Sequence, residues 1–362
     1  MALESTVPAS CASCGLHQCH HNVEKVLSHV ALDGEAWLLD EKWEEFNAYL
    51  LGLSSKPHVF LPWNFRFLRQ PNYAWRLPKC AQVSAAPRLT LQRSMAMRSL
   101  ALQGGRRQSV LEDFDRRIAK AYAAKLPYTT NKLIVWQNFL PFLHMDKTLG
   151  GRAYDVLLWR APRHILHGKL AQAQSNYPES RTLADFRSSP EIVAAERVSL
   201  QAAQRIITPH RELAELYPDK THLLEWRWPA KQVEKERTKI GFFGPTIGRR
   251  GAYVVREAMK KLDVSFVVIG KNLEAEDFWS DLKMEPRSFG VQWLDEIGLL
   301  LAPAITEYKP RLIMQALQRG VTVIATKSCG LPESENLHFV DPYDADALAA
   351  KIEALSLCKS RA

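Results

Sequence analysis

No stretch of the 362 residues approaches the ~18 uninterrupted apolar residues of a membrane-spanning helix, and the longest candidate, Ile297 to Ile305, is half that. The first ten residues, MALESTVPAS, have no basic region followed by an apolar core. That predicts no secretory signal and a cytoplasmic protein. Cysteine is scarce: six in the whole chain cannot staple a scaffold of this size, which points to a reducing setting. There is no internal repeat and no long low-complexity segment. With 46% hydrophobic and 24% charged residues the composition is globular, and the length predicts two or three domains.

Acidic residues are absent from the stretch between Phe46 and Leu111, whereas ten basic ones fall there: Lys56, Arg66, Arg69, Arg76, Lys79, Arg88, Arg93, Arg98, Arg106 and Arg107. The chain holds 48 basic and 39 acidic residues, a net +9; without those ten it holds 38 against 39, a net −1. The whole excess therefore lies in one stretch, interleaved with Phe60, Trp63, Phe65, Phe67, Tyr73 and Trp75. Such a stretch predicts an anionic partner. A cationic cleft wall and a peripheral membrane-surface contact through 56–107 both fit. Nucleic acid is disfavoured because no recognition motif accompanies the charge. A merely solvated face is the plain alternative.

The N-terminal CASCGLHQCHH places Cys11, Cys14, Cys19, His20 and His21 within eleven residues, enough ligands for one tetrahedral zinc. The spacing matches no finger framework, and redox-labile thiols would give the same pattern. Cys80, Cys329 and Cys358 are dispersed and read as packing residues.

Apolar runs predict buried strands at 132–137 (KLIVWQ), 154–159 (YDVLLW), 206–210 (IITPH), 240–243, 265–269 (SFVVI), 299–301, 321–325 (VTVIA) and 339–341. Helices are expected over 109–125, 190–204, 252–262 and 310–318, and in a closing segment capped by Asp344. The alternation predicts an α/β protein with parallel sheets. Its expected divisions are a Cys/His-rich segment at 1–22, a domain at 23–229, a linker at 230–238 and a second domain at 239–362.

Two elements of the second domain could carry chemistry. GPTIGRRG joins a strand to a helix start, which offers backbone N–H groups and the guanidiniums of Arg249 and Arg250 to a phosphate. The alternative is a tight turn with solvated arginines. In TEYKPRLIMQALQRG, Glu307 follows a strand, Arg311 falls in a helix's first turn and Gln315 one turn later. A carboxylate there can accept from sugar hydroxyls and the arginine can reach a phosphate. An exposed Glu307–Arg311 ion pair is the bland alternative.

Together these elements resemble the nucleotide-sugar half of a GT-B glycosyltransferase, of the group 1 family that includes sucrose and glycogen synthases. The resemblance covers Lys239 to Leu355. It is carried by Gly244, Arg250-Gly251, Glu307, Gln315-Ala316-Leu317, Gly320, VTVIAT (321–326) and CGLP (329–332). It implies two Rossmann-type domains facing a cleft, a UDP- or GDP-sugar donor, and transfer with retention and no obligatory metal. Glu307 would orient the donor sugar, as the catalytic residue. Gly244, Arg249, Arg250, Gly251 and Arg311 would hold the diphosphate, and Gln315 would meet the ribose. The sequence departs from the family at Pro245, where an arginine is usual, and at Gln315, where a second glutamate is usual. Gln137 and Arg160 stand where the first domain often carries a histidine. Those departures support a second reading, a catalytically degenerate binding or regulatory subunit.

Overall fold

The apolar runs form strands, and every strand pair is parallel. A computed structural model describes residues 34–53, 55–64, 70–100, 103–185, 187–231, 237–290 and 292–359. The Cys11–His21 cluster, Phe65, Phe67 and Cys358's side chain lie outside what is described.

The first sheet comprises β1 (Gly34–Leu38), β2 (His58–Leu61), β3 (Gln82–Ala85), β4 (Thr130–Trp136), β5 (Ala153–Leu157), β6 (Arg205–Thr208) and β7 (Thr221–Leu223), in spatial order 3-2-1-4-5-6-7. The second comprises β8 (Lys239–Phe243), β9 (Phe266–Ile269), β10 (Met284–Arg287), β11 (Ile297–Ala302), β12 (Thr322–Ala325) and β13 (Leu337–Phe339), in order 10-9-8-11-12-13. Both are doubly wound α/β sheets of Rossmann type, the fold class expected from the sequence. In such sheets ligands collect beyond the carboxyl ends of the strands where the order reverses. Those points fall between β1 and β4, and between β8 and β11.

Central strands are buried on both faces, as IGLLLA in β11 shows, because helices cover both sides. One apolar core runs from the first sheet through Trp43 and Trp226 to Leu300 and Val323. A second lies on the far face of the second sheet, under helices Ala252–Leu262 and Ala345–Lys359. Ala173, Tyr177 and Leu183, from the first half of the chain, join that second core, where Tyr177 stacks on Tyr253. The closing helix begins where expected: Ala347 donates its N–H to Asp344 Oδ1 at 2.8 Å. The helix expected from Ser109 starts earlier, spanning Gly104–Ala123. Strands β1, β2, β3, β7 and β10 were not expected; they are short, and charged or polar residues interrupt them.

The basic, aromatic stretch does not form one surface. Phe60, Trp63 and Trp75 are buried, so these three rings are turned inward. Arg93 is buried as well. Its Nη2 and Nη1 meet the Asp40 carboxylate at 2.5 and 2.9 Å, and Nη1 reaches Asp115 Oδ1 at 3.3 Å. Asn138 Nδ2 donates to the other Asp115 oxygen at 3.0 Å. This cluster closes the carboxyl edge of the first sheet between β1 and β4. Burial, then the Asp40 carboxylate, raises the Asp115 pKa against the pull of Arg93.

Without Arg93, two buried carboxylates would lose their cation, a change that typically costs about 3–5 kcal/mol. Arg93→Leu should therefore lower stability to urea by about that amount at pH 7. The loss should shrink as pH falls, because Asp115, its folded pKa raised by burial, takes up a proton in the folded state. Urea titrations at two pH values measure both effects.

Candidate functional site

Gly251 lets the loops after β8 and β11 touch, and Gly244 lets the loop after β8 pass close to the end of β9. A Cβ on Gly251 would lie 2.1 Å from the Pro303 oxygen, and its φ is +81°, so only glycine fits. A Cβ on Gly244 would lie 2.7 Å from the Ile269 oxygen. With these approaches made, the Arg249 carbonyl accepts the Ile305 N–H at 2.9 Å. The next residues then place Glu307 directly against Arg250.

Arg250 Nη1 and Glu307 Oε2 form an ion pair. Glu307 Oε1 also accepts the Lys309 N–H at 2.9 Å. Glu307 is buried and Arg250 a quarter exposed, with its guanidinium 5.7 Å from the centre of the Phe243 ring. Burial, then the like charge of Arg249, lowers the Arg250 pKa to about 10, so it remains a cation at neutral pH. A small cavity of about 30 Å³ opens beside the pair, lined by Phe243, Ala302, Lys309 and Ile313 among others. The acid and both arginines therefore share one sheet edge.

The expected bed of free backbone N–H groups is only partly there. Gly248 N–H points at Glu274 Oε1 and Thr182 Oγ1, each at 2.9 Å, while Gly251 N–H donates to the Gly248 carbonyl. Glu274 is buried and also accepts from Ser180 Oγ, Arg181 N–H and Tyr253 Oη. An internal carboxylate thus takes one of the loop's donors, and the charge left for a ligand comes from the guanidiniums.

Arg311 does not pair with Glu307. It crosses to the first half of the chain and grips the buried Glu45 at 2.8 and 2.5 Å, its guanidinium lying 5.3 and 5.4 Å from the Trp43 and Trp226 rings. The guanidinium is committed there because Glu45 has no bulk water to neutralise it. Gln315, one turn along helix Arg311–Gln318, is exposed.

A residue not anticipated as a site member is His210, just past β6. It is buried and bridges the halves: Nε2 lies 3.0 Å from the Ser328 carbonyl and 3.3 Å from that of Glu307, while Nδ1 accepts the Leu213 N–H at 3.4 Å. Both partners of Nε2 are acceptors, so the neutral ring carries its proton there. Gly330, at φ +65°, makes room; a Cβ on it would meet the ring at 2.3 Å. A histidine just past a strand end and before the short helix RELA was the one local signal.

The contacts of His210, Arg311 and Lys309 (which pairs with Glu41 at 2.5 Å) turn the carboxyl edges of the two sheets toward each other. Arg249 is exposed in this cleft yet ringed by protein, which lowers its pKa. Nearby, Arg160 Nε is buried and finds no hydrogen-bond partner among the described residues, while the Tyr308 phenol lies at the Ala161 backbone. Arg160 and Arg249 both act electrostatically on the Tyr308 phenol. Among the described residues no group of three or more His, Cys, Asp or Glu could hold a metal ion, and the expected zinc ligands lie outside them.

Burial holds the His210 pKa down to about 4, against 6.5 in the unfolded chain. Above pH 6.5 the group is neutral in both states and has no effect. Between 6.5 and 4 the unfolded chain alone binds the proton, so stability falls as pH falls, by an amount on the order of 3 kcal/mol at the lower end. His210→Gln, which keeps a donor for Ser328, should flatten that part of the acid limb in thermal melts across this pH range.

No protein-family model matches the sequence, and no curated protein matches it. Solved structures do. Anabaena Alr3699/HepE in complex with UDP is similar at 12% identity over 89% of each chain, with a TM-score of 0.48. WaaG, a glycosyltransferase involved in lipopolysaccharide biosynthesis, is similar at 12% identity over 89% of this chain and 90% of that one, TM-score 0.44. Arabidopsis thaliana UGT89C1 complexed with quercetin is similar at 11% identity over 89% of each chain, TM-score 0.41. Likeness at this level carries no argument about the site, whose chemistry has to be read from its own residues.

Proposed function

We propose that this protein is a glycosyltransferase that moves a sugar from a UDP- or GDP-sugar to an acceptor held in the cleft, with retention of configuration. One observation carries the reading: Arg250 and Glu307 meet at the switch point of the second sheet, with Arg249 open to the cleft beside them. A diphosphate would draw Arg250 from the ion pair and engage Arg249, since a phosphate offers two negative oxygens where the carboxylate offers one bonded contact. Glu307, released, would accept hydrogen bonds from the hydroxyls of the attached sugar. The bond between the sugar's anomeric carbon and the diphosphate oxygen breaks, the acceptor hydroxyl oxygen bonds to that carbon on the same face, and its proton passes to the departing diphosphate oxygen. The two guanidiniums stabilise the charge left on the diphosphate, and no general base is assigned.

A second reading has its own support. Arg311 is committed to Glu45, Gln315 is exposed, and the cavity beside the ion pair holds about 30 Å³. These favour a protein that binds the nucleotide without turning it over.

Thermal-shift measurements with UDP, GDP, ADP and their sugars test both. One diphosphate should raise the melting temperature, by up to about 2.7 kcal/mol of stability at a hundredfold excess over Kd. Arg250→Ala should abolish the shift and Glu307→Ala should keep it. Hydrolysis of the sugar nucleotide by wild type, lost in Glu307→Ala, separates enzyme from binder. No shift with any nucleotide overturns both readings.

A further inference from the structure

Helix Pro87–Ser99 is anchored on one side only. Its inner face holds Thr90, whose hydroxyl donates to the Pro62 carbonyl at 2.7 Å, and Arg93 in its carboxylate cluster. The opposite side carries Arg88, Leu91, Met95 and Arg98, at steps of three, four and three, which is a single outward stripe. Leu91 is 48% and Met95 54% exposed, and Val83 on the neighbouring edge strand is 41% exposed. Helix Gly104–Ala123 lies alongside, tied by Arg117 Nη2 to Gln92 Oε1 at 3.0 Å. Among the described residues from Pro87 to Lys125, eight cations are exposed (Arg88, Arg98, Arg106, Arg107, Arg116, Arg117, Lys120 and Lys125) against one carboxylate, Asp113. Beside the start of the first helix opens a cavity of about 280 Å³, lined by Phe60, Ala86, Leu89 and Tyr122 with Arg88 and Lys125.

Exposed apolar side chains set among cations that outnumber the exposed carboxylates are the chemistry of a headgroup boundary. A nucleic-acid surface of this charge would offer rings for stacking, but the rings on the two helices themselves, Phe114 and Tyr122, are buried. Among the described residues no helix is long and apolar enough to cross a membrane, so the contact would be peripheral.

We propose that this two-helix face docks on an anionic lipid bilayer, with Leu91 and Met95 entering the boundary between headgroups and acyl chains. It is independent of the transfer reading, and its test uses no sugar nucleotide. The full-length protein is floated with vesicles of phosphatidylglycerol and phosphatidylcholine in equal parts, and with phosphatidylcholine alone. Binding is expected to the first and not to the second, weakening as salt rises. Leu91→Glu with Met95→Glu should reduce binding about tenfold or more, and so should Arg88→Ser with Lys125→Ser, at ~1 kcal/mol per cation near the surface. Unchanged melting temperatures establish that these exposed variants fold. Equal binding to neutral vesicles, no binding to either, or full binding by the Leu91/Met95 variant overturns the proposal. So does an RNA that binds the wild type and this variant alike and displaces the vesicles.

Discussion

A carboxylate without water needs a cation, and for Glu45 the cation comes from the other half of the chain. Glu45 has no exposed side-chain surface, and Arg311, 266 residues away, closes on it between two indole rings. A buried ion of this kind left alone costs several kcal/mol, which makes the pairing obligatory rather than decorative. It fixes the end of the loop after β11, while the Arg249 carbonyl fixes its beginning at Ile305. Between those two anchors Glu307 and Tyr308 have little freedom, so the geometry of the cleft follows from one ion pair that touches no candidate ligand.

The Arg250–Glu307 pair is different in kind. It is partly exposed, it lies where strands end, and each partner is the natural ligand of a different piece of a sugar nucleotide. At rest the two charges cancel, and Arg249 presents the unbalanced positive charge to the cleft. If a sugar nucleotide binds here as proposed, exchange of partners rather than filling of a large preformed pocket would open the site, since the cavity beside the pair holds only about 30 Å³.

Much of the second sheet was legible because SFVVI, VTVIA and the run ending at Ala302 are apolar stretches bounded by glycine or proline. The order of Arg250 and Glu307 along the chain was enough to bring them to one edge once the crossovers were taken as right-handed. Contacts with no local signature were not legible. Arg93 finds Asp40 at a separation of 53 residues, and nothing near Arg93 distinguishes it from exposed Arg88 or Arg98. Glu274 enters the loop at Gly248 from 26 residues away and removes a donor that the motif alone promised. Which residues of the basic, aromatic stretch face inward was not legible either: a one-dimensional count of charge cannot tell which side chains a helix turns toward the core.

His210 and Gly330 form a lock and its keyhole, on opposite halves of the molecule and 120 positions apart. The imidazole occupies the volume that any side chain at 330 would claim. The two positions therefore cannot drift separately in evolution. A side chain at 330 would need a smaller residue at 210 and also a backbone shifted out of its φ of +65°, and such a paired change would loosen the hold on Ser328 and Glu307 together.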